Sequence, residues 1–306
     1  MEYIKEANVA LETEERWESG LAVLEVRGVN GFSVQKTFDC GQCFRFDPVE
    51  GTPHETEYGG AALGRFFSVA QDGDTLTVYN CDKKFFYEKL VRFLSLDVDY
   101  DSVRREIQEK CPTEYIKKVT KLGYGLRILR QEKWETLCSF IISQNNNIPR
   151  IKKLVRALSA ACGSELDVSR MQCHGAEGKE FAFPSPYAVC ALGTDGLREL
   201  RTGFRAKYIY DAAEKVLSGE LDLEKAAELD TDACIESLCG IKGVGLKVAS
   251  CAALFGMEKY DAFPIDVWIR RTLDAHFPPD FEPEKLGRFA GIAQQYMFYS
   301  ARYLDE

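Results

Sequence analysis

The sequence has no run of about 18 apolar residues, so no segment reads as a membrane-spanning helix. It has no internal repeat and no low-complexity tract, which leaves out solenoid and fibrous architectures. A regular cysteine framework is also missing: the 11 cysteines are an odd number, scattered from Cys40 to Cys251. The opening stretch MEYIKEANVALETEERWESG is acidic and lacks the basic and apolar regions of a signal peptide. The chain is therefore expected in the cytoplasm, or in the nucleus if eukaryotic, with reduced thiols serving mostly as small buried apolar residues. Cys40 and Cys43 have the spacing of a metal or redox pair. No second such pair follows and no histidine sits at ligand spacing, so no metal is expected. Positive charge is short as well, with 39 Lys+Arg against 48 Asp+Glu and a net charge of −9. Taken as an average, that argues against a nucleic-acid partner, because duplex phosphate needs clustered cations. An average is silent about distribution.

What is present is ordinary for a soluble globular chain: 306 residues, 45% hydrophobic and 28% charged. The length is enough for about two domains. Between residues 21 and 80, short β-rich runs (LAVLEVRG, FSVQKTF, CFRFDP, FFSVAQ, DTLTVYN) alternate with turn-forming stretches such as GTPHETEYGG and QDGD. This predicts an antiparallel sheet with hairpins. From Lys83 the period becomes helical, placing Phe86, Leu90, Phe93 and Leu94 on one stripe. Helices are predicted at 114–129, 131–143, 148–162, 186–201, 205–218, 232–239, 246–255, 266–276 and 284–303. Residues 163–185, rich in Gly, Ser and Pro, read as a long surface loop. The expected class is α+β: a small sheet domain over 1–112 and a mostly helical domain over 113–306.

The most informative segment is LCGIKGVGLKVASCAALFGMEKYDAFPIDVWIRRTL, residues 238–273. Gly240, Gly243 and Gly245 punctuate a turn between two predicted helices. Glycine there allows positive φ and leaves backbone N–H groups uncovered beside the positive end of the second helix. Gly243, Gly245 and Val248 can thus offer amides to a phosphate without a side-chain charge. A plain glycine-rich helix connection would leave the same pattern. The segment resembles the helix-hairpin-helix motif of base-excision DNA glycosylases, here over 232–255, followed by their Gly/Pro-rich loop and terminal Asp at 256–266. CGQCFRF (40–46), SQNNNIPRI (143–151), GFRAKYI (203–209), the lysine of GVGLKVA and QYMFYSA (295–301) point to the 8-oxoguanine branch. Together these segments span most of the chain.

The resemblance implies a bifunctional glycosylase and abasic-site lyase that removes 8-oxoguanine, preferably opposite cytosine, from damaged double-stranded DNA. Lys247 is then the nucleophile at the sugar C1′. Its amine forms a Schiff base with the opened sugar, which permits β-elimination of the 3′ phosphate. Asp266, just ahead of the helical VWIRRTL, is the carboxylate that offsets positive charge developing on the sugar. It also suits a helix N-cap, and the two roles are compatible. Taken without the resemblance, Lys247 reads as an exposed helical lysine.

A base inside a duplex must be flipped out and the gap filled. By resemblance, Gly41 supplies the backbone carbonyl that accepts the N7–H present only in 8-oxoguanine. Gln295 and Tyr299, spaced i, i+4 on the last helix, bond the Watson–Crick edge and stack on the base. Gln294 and Phe298 have the same spacing and remain the alternative register. Cys251, one turn after Lys247, forms the other face of the stack. Asn145, Arg150 and Arg205 surround the orphaned cytosine, whose acceptors suit an arginine fork, and Phe204 stands as the wedge where the family usually has tyrosine. The sequence departs from the pattern at Trp268, where a phosphate-contacting histidine is often found, and at Arg302, near a position where an acid is expected.

No cysteine follows Cys251, which leaves no ligands for the iron–sulfur cluster of adenine or oxidised-pyrimidine glycosylases of this fold. No cofactor is expected, and a monomer is the default. The alternatives are a glycosylase of the same fold for another damaged base, or a non-catalytic helix-hairpin-helix DNA-binding protein. Charge distribution agrees with DNA. Segments 145–156, 203–209, 240–249 and 267–273 carry ten Lys/Arg and no Asp or Glu. Residues 1–20 and 219–237 carry a net −4 and −6. The chain reads as a small cationic footprint on a negative body.

Overall fold

In this computed structural model, residues 11–303 are described. The first half of the acidic 1–20 stretch lies outside the described residues. The N-terminal part is a six-stranded sheet in the order β1-β2-β6-β5-β4-β3, with every pairing antiparallel. The strands are β1 (Glu12–Glu18), β2 (Leu21–Arg27), β3 (Phe46–Pro48), β4 (Thr56–Ala62), β5 (Arg65–Asp72) and β6 (Thr75–Tyr79). Successive residues of β2, β5 and β6 alternate between two apolar faces. Leu24, Val26, Phe67, Val69, Leu76 and Val78 join one core. Leu21, Val23, Phe66, Ala70 and Tyr79 join another. The helical stretch Lys83–Phe85, Phe86–Leu90 and Val91–Phe93 covers the first face with the predicted stripe, all four residues of which are buried.

The second face is closed by residues 163–185, which the sequence presents as a surface loop. This segment forms a short ribbon, β7 (Glu165–Leu166) with β8 (Glu180–Phe181), and buries Val168, Met171 and Ala176 against the sheet. Its apolar residues are too sparse to show a period, so only the docked arrangement reveals them as core.

FSVQKTF also departs from the strand expectation. Ser33 accepts the Lys36 N–H and caps a helix, α1 (Val34–Phe38), whose buried Val34, Thr37 and Phe38 have helical spacing. The cap overrides a two-residue alternation that is too short to decide the matter. GTPHETEYGG, expected as turn, supplies β4 instead. Its glycines are needed for close approach. A Cβ on Gly59 would lie 2.2 Å from the His174 carbonyl oxygen, and one on Gly60 would lie 2.3 Å from that of Arg45.

Under the docked segment lies a buried carboxylate. Glu57 is 2% exposed and accepts from Ser68 Oγ at 2.6 Å, from Thr52 Oγ1, and is bonded to His174 Nδ1 at 2.8 Å. The His174 ring stacks on Tyr79 at 3.8 Å, and the Tyr79 hydroxyl meets His54 Nε2 at 2.8 Å. Burial alone would raise the Glu57 carboxyl, but the bonds from His174, Ser68 and Thr52 outweigh it and hold the group below the usual carboxylate range. The folded state therefore favours the ionised form. Its stabilisation is present above the unfolded value of about 4.3 and is lost as pH falls through the lower folded value. Glu57→Ala should cost about 3 kcal/mol at neutral pH, with the gap to wild type narrowing in acid. Urea melts at neutral pH and near pH 4 check this, and an equal gap at both would count against it.

The rest is helical: α2 (Tyr100–Lys110), α3 (Glu114–Leu122), α4 (Lys133–Ser143), α5 (Ile148–Cys162), α6 (Pro186–Glu199), α7 (Ala206–Ser218), α8 (Leu223–Glu228), α9 (Thr231–Cys239), α10 (Leu246–Gly256), α11 (Val267–His276) and α12 (Ala290–Tyr303). Each predicted helix is present, but α3 stops at Leu122, the last predicted helix breaks at Gly287, and α2 and α8 stand where the sequence reading places no helix. In α10 every residue from Val248 to Gly256 is buried, so this helix forms the centre of the helical core. The core also takes in Cys40 and Phe44 from the N-terminal part. That insertion carries the Gly41 loop into the helical half.

Candidate active site

The hairpin joins α9 to α10. Val244 is buried between them, while Gly243 takes a φ of 74° that a side chain would strain. The space where a Cβ on Gly245 would stand is open, and no side chain caps the start of α10. The first intrahelical bond runs from Ala249 N–H to Gly245 O, at 3.0 Å. The amides of Leu246, Lys247 and Val248 therefore have no helical partner. This is an uncapped helix N-terminus facing solvent, the geometry that accepts a phosphate oxygen.

In the first turn of α10, Lys247 lines an open cleft of about 750 Å³, and Asp266 lines it as well. Asn145, Phe204, Trp268 and Arg302 border the same cleft. Asp266 Oδ1 accepts the Ile269 N–H at 2.8 Å, so the residue does cap α11. The cap fixes the carboxylate at the cleft wall and commits only one of its oxygens. Lys247 Nζ stands 5.7 Å from the ring centroid of Phe140, and the amine lies near the Cys251 thiol. Burial pushes that thiol up, with Lys247 pulling the other way, so Cys251 is a neutral apolar wall. Phe140 looks like plain core in the sequence, and nothing about its spacing marks it as a neighbour of the lysine.

The segment between α4 and α5 shares out its asparagines. Asn147 caps α5 by accepting the Arg150 N–H at 3.0 Å, and Asn146 donates to Ile142 O at 3.1 Å. Asn145 is left exposed with a φ of 47°, a left-handed conformation that Asn tolerates. Arg205 is 4% exposed, and its guanidinium donates to Gln144 O from Nε at 2.9 Å and to Asn145 O from a terminal nitrogen at 2.9 Å. Burial and the nearby Arg150 both push Arg205 below its ordinary value. Most Arg205 donors are thus spent on the loop backbone. Arg150 is exposed and forms no side-chain bond among the described residues. Phe204, half exposed at 50%, projects beside them.

At the far side, Gly41 has a φ of 77°, and a Cβ there would lie 3.3 Å from Ile148 and 3.5 Å from the Phe298 ring. Gln295 is 2% exposed and donates to the Cys40 carbonyl at 2.8 Å, tying α12 to the loop just ahead of Gly41. Tyr299 is partly buried near Cys40 and Asp39. Gln294 is 4% exposed, and its buried Oε1 has no partner among the described residues. The guanidinium of Arg302 stands 5.9 Å from the Phe298 ring.

Cys40 and Cys43 are both buried, each S–H directed at a backbone carbonyl, Thr37 O and Phe38 O respectively. Burial pushes the Cys40 thiol up to about 12 and raises Cys43 too. No helix among the described residues is long and apolar enough to cross a membrane.

Comparison with known proteins agrees with this geometry. A family model described as the 8-oxoguanine DNA glycosylase N-terminal domain matches residues 25–137, and one for HhH-GPD superfamily base excision DNA repair proteins matches 138–287. The structure of Clostridium acetobutylicum 8-oxoguanine glycosylase/lyase, bound to double-stranded DNA with cytosine opposite 8-oxoguanine, superposes with a TM-score of 0.85. It is 34% identical, over 96% of this chain and 99% of that one. MBOgg1 in complex with a low-affinity DNA ligand gives a TM-score of 0.84 at 35% identity, covering 96% and 100% of the two chains. Arabidopsis thaliana N-glycosylase/DNA lyase OGG1 is 26% identical over 287 residues, which is 86% of this chain and 75% of the plant protein. Fold and cleft together are those of an HhH-GPD base-excision glycosylase. Within that superfamily the chain belongs to the 8-oxoguanine DNA glycosylase/lyase family.

Proposed function

We propose that this protein excises 8-oxoguanine opposite cytosine from duplex DNA and then nicks the strand at the abasic site. The observation that carries the reading is that Lys247 and Asp266 line a single cleft beside an uncapped helix N-terminus. The hairpin amides hold a backbone phosphate, which brings C1′ of the extruded nucleotide to Lys247. The neutral amine attacks C1′, the C1′–N9 bond breaks, and its electron pair leaves with the purine, which takes up a proton. The Asp266 carboxylate offsets the positive charge on the sugar as that bond lengthens. Opening of the ring gives the iminium. Loss of a C2′ proton then expels the 3′ phosphate.

In this reading the part up to residue 112 lends the Gly41 loop to the lesion pocket, and residues 113–306 hold the nucleophile and the DNA-facing elements. Asn145, Arg150 and Arg205 receive the orphaned cytosine, with Arg150 as the ready donor and Arg205 exchanging loop carbonyls for base acceptors. For the register on α12, expected as Gln295 and Tyr299, we adopt the alternative pair Gln294 and Phe298. What supports it is the unpartnered Gln294 oxygen and the Phe298 ring beside Gly41. Gln295 and Tyr299 then brace the loop.

The test is excision on duplexes carrying 8-oxoguanine opposite C, A, G or T, run with and without borohydride. Fastest release opposite C with a trapped adduct is expected; no release from any duplex would overturn the reading in favour of a binding module. Binding should also be strongly salt dependent, with each phosphate contact contributing about −0.9 to the log–log slope. A slope near zero would refute the cationic footprint.

A further inference from the structure

The wedge and the phosphate-binding hairpin are separate in sequence, yet one face of α7 holds both. Phe204 sits in the turn Gly203–Arg205 that leads directly into α7. Its ring meets Tyr208 edge-on, with centroids 5.8 Å apart and planes at 67°. The Tyr208 ring in turn lies against the hairpin. A Cβ on Gly243 would stand 2.3–2.4 Å from three of its ring atoms, so the glycine backbone rests on the aromatic face. Further along the same face, Asp211 Oδ2 accepts the Lys242 N–H at 2.8 Å and Lys215 Nζ donates to Gly240 O at 2.8 Å. Residues 204, 208, 211 and 215 step by four, three and four, the spacing of one helical face. The last two contacts fall on hairpin backbone, so they set its position whatever side chains it carries.

We propose that Tyr208 is a positioning residue that locks the Phe204 wedge in register with the hairpin amides. This rests on the functional reading above, in which the hairpin grips a phosphate and Phe204 fills the gap. Gripping the backbone then delivers the wedge to a fixed point on the duplex, and phosphate-binding energy goes into opening the stack. A loose α7–hairpin contact would let the protein bind DNA with the wedge misplaced, and small misplacements are costly in rate. The Tyr208 hydroxyl forms no hydrogen bond among the described residues, so its ring is what matters.

A double-mutant cycle on single-turnover excision of 8-oxoguanine opposite cytosine tests this, using wild type, Phe204→Ala, Tyr208→Ala, the double variant and Tyr208→Phe. Tyr208→Phe should retain the wild-type rate, and Tyr208→Ala should lose about tenfold. In the Phe204→Ala background, the same alanine should cost less than about twofold, because the group it positions is gone. Equal losses in both backgrounds, or a Tyr208→Phe as slow as Tyr208→Ala, would overturn the coupling. Thermal melts accompany each variant, and Tyr208→Leu replaces the alanine in the cycle if that variant fails to fold. Wild-type rates for Phe204→Ala would overturn the wedge reading itself, and the coupling with it. Absence of excision by the wild type would overturn the functional reading.

Discussion

Lys247→Gln is expected to abolish borohydride trapping and strand nicking, and to slow base release by about 10⁴-fold or more, as removal of a nucleophile does elsewhere. Glutamine is one atom shorter than lysine, has a similar helix propensity, and lacks the amine that forms the imine. The surroundings make the comparison clean. Lys247 is on the first turn of α10, forms no salt bridge among the described residues, and lies beside Phe140 and Cys251 at the edge of the core. No buried charge loses a partner in the variant, so its melting temperature should stay within a few degrees of wild type. Gel trapping on an 8-oxoguanine duplex measures the adduct, and release of the free base measures glycosidic cleavage. A Lys247→Gln protein that traps at the wild-type rate would show that another amine is the nucleophile.

Asp266 caps α11 and is proposed to offset charge on the sugar, and the two roles can be pulled apart. Its Oδ1 caps α11 through the Ile269 amide, and Asn caps about as well as Asp. Asp266→Asn should therefore leave stability nearly unchanged while lowering the rate of base release about 10²- to 10³-fold, since a neutral amide cannot offset charge on the sugar. Asp266→Ala should add a loss of about 1 kcal/mol from the missing cap. Parallel melts and single-turnover rates for the two variants give the separation. If Asp266→Asn excised at the wild-type rate, the carboxylate would be a cap and nothing more.

Much of the helical half was legible because its signals are local. Asn147 followed by Pro149 opens α5, Ser185 followed by Pro186 opens α6, and Asp266 opens α11, each with a side chain accepting an N–H of the first turn. The sheet was legible where β-branched and aromatic residues run together. It was misread at Val34–Phe38, where one serine cap outweighs an alternating pattern. It was misread again at Thr56–Ala62, where glycines that look like turn residues serve close backbone approach. The docked segment 163–185 left no periodic trace, because a few apolar residues in a loop bury themselves only once the sheet face exists to receive them.

The sequence by itself determined the chemistry of the hairpin. Gly243, Gly245 and Lys247 lie within five residues, and backbone freedom, helix polarity and an amine at the first turn all follow from that spacing. Tertiary structure alone decided what faces what. It set Phe140 beneath the amine, spent most Arg205 donors on loop carbonyls, put Phe298 beside Gly41, and joined Phe204 to the hairpin through Tyr208. The physical reason is range. Capping and turn preferences act over a few residues, whereas these contacts join positions far apart in the chain, and their geometry depends on how the whole core closes around α10.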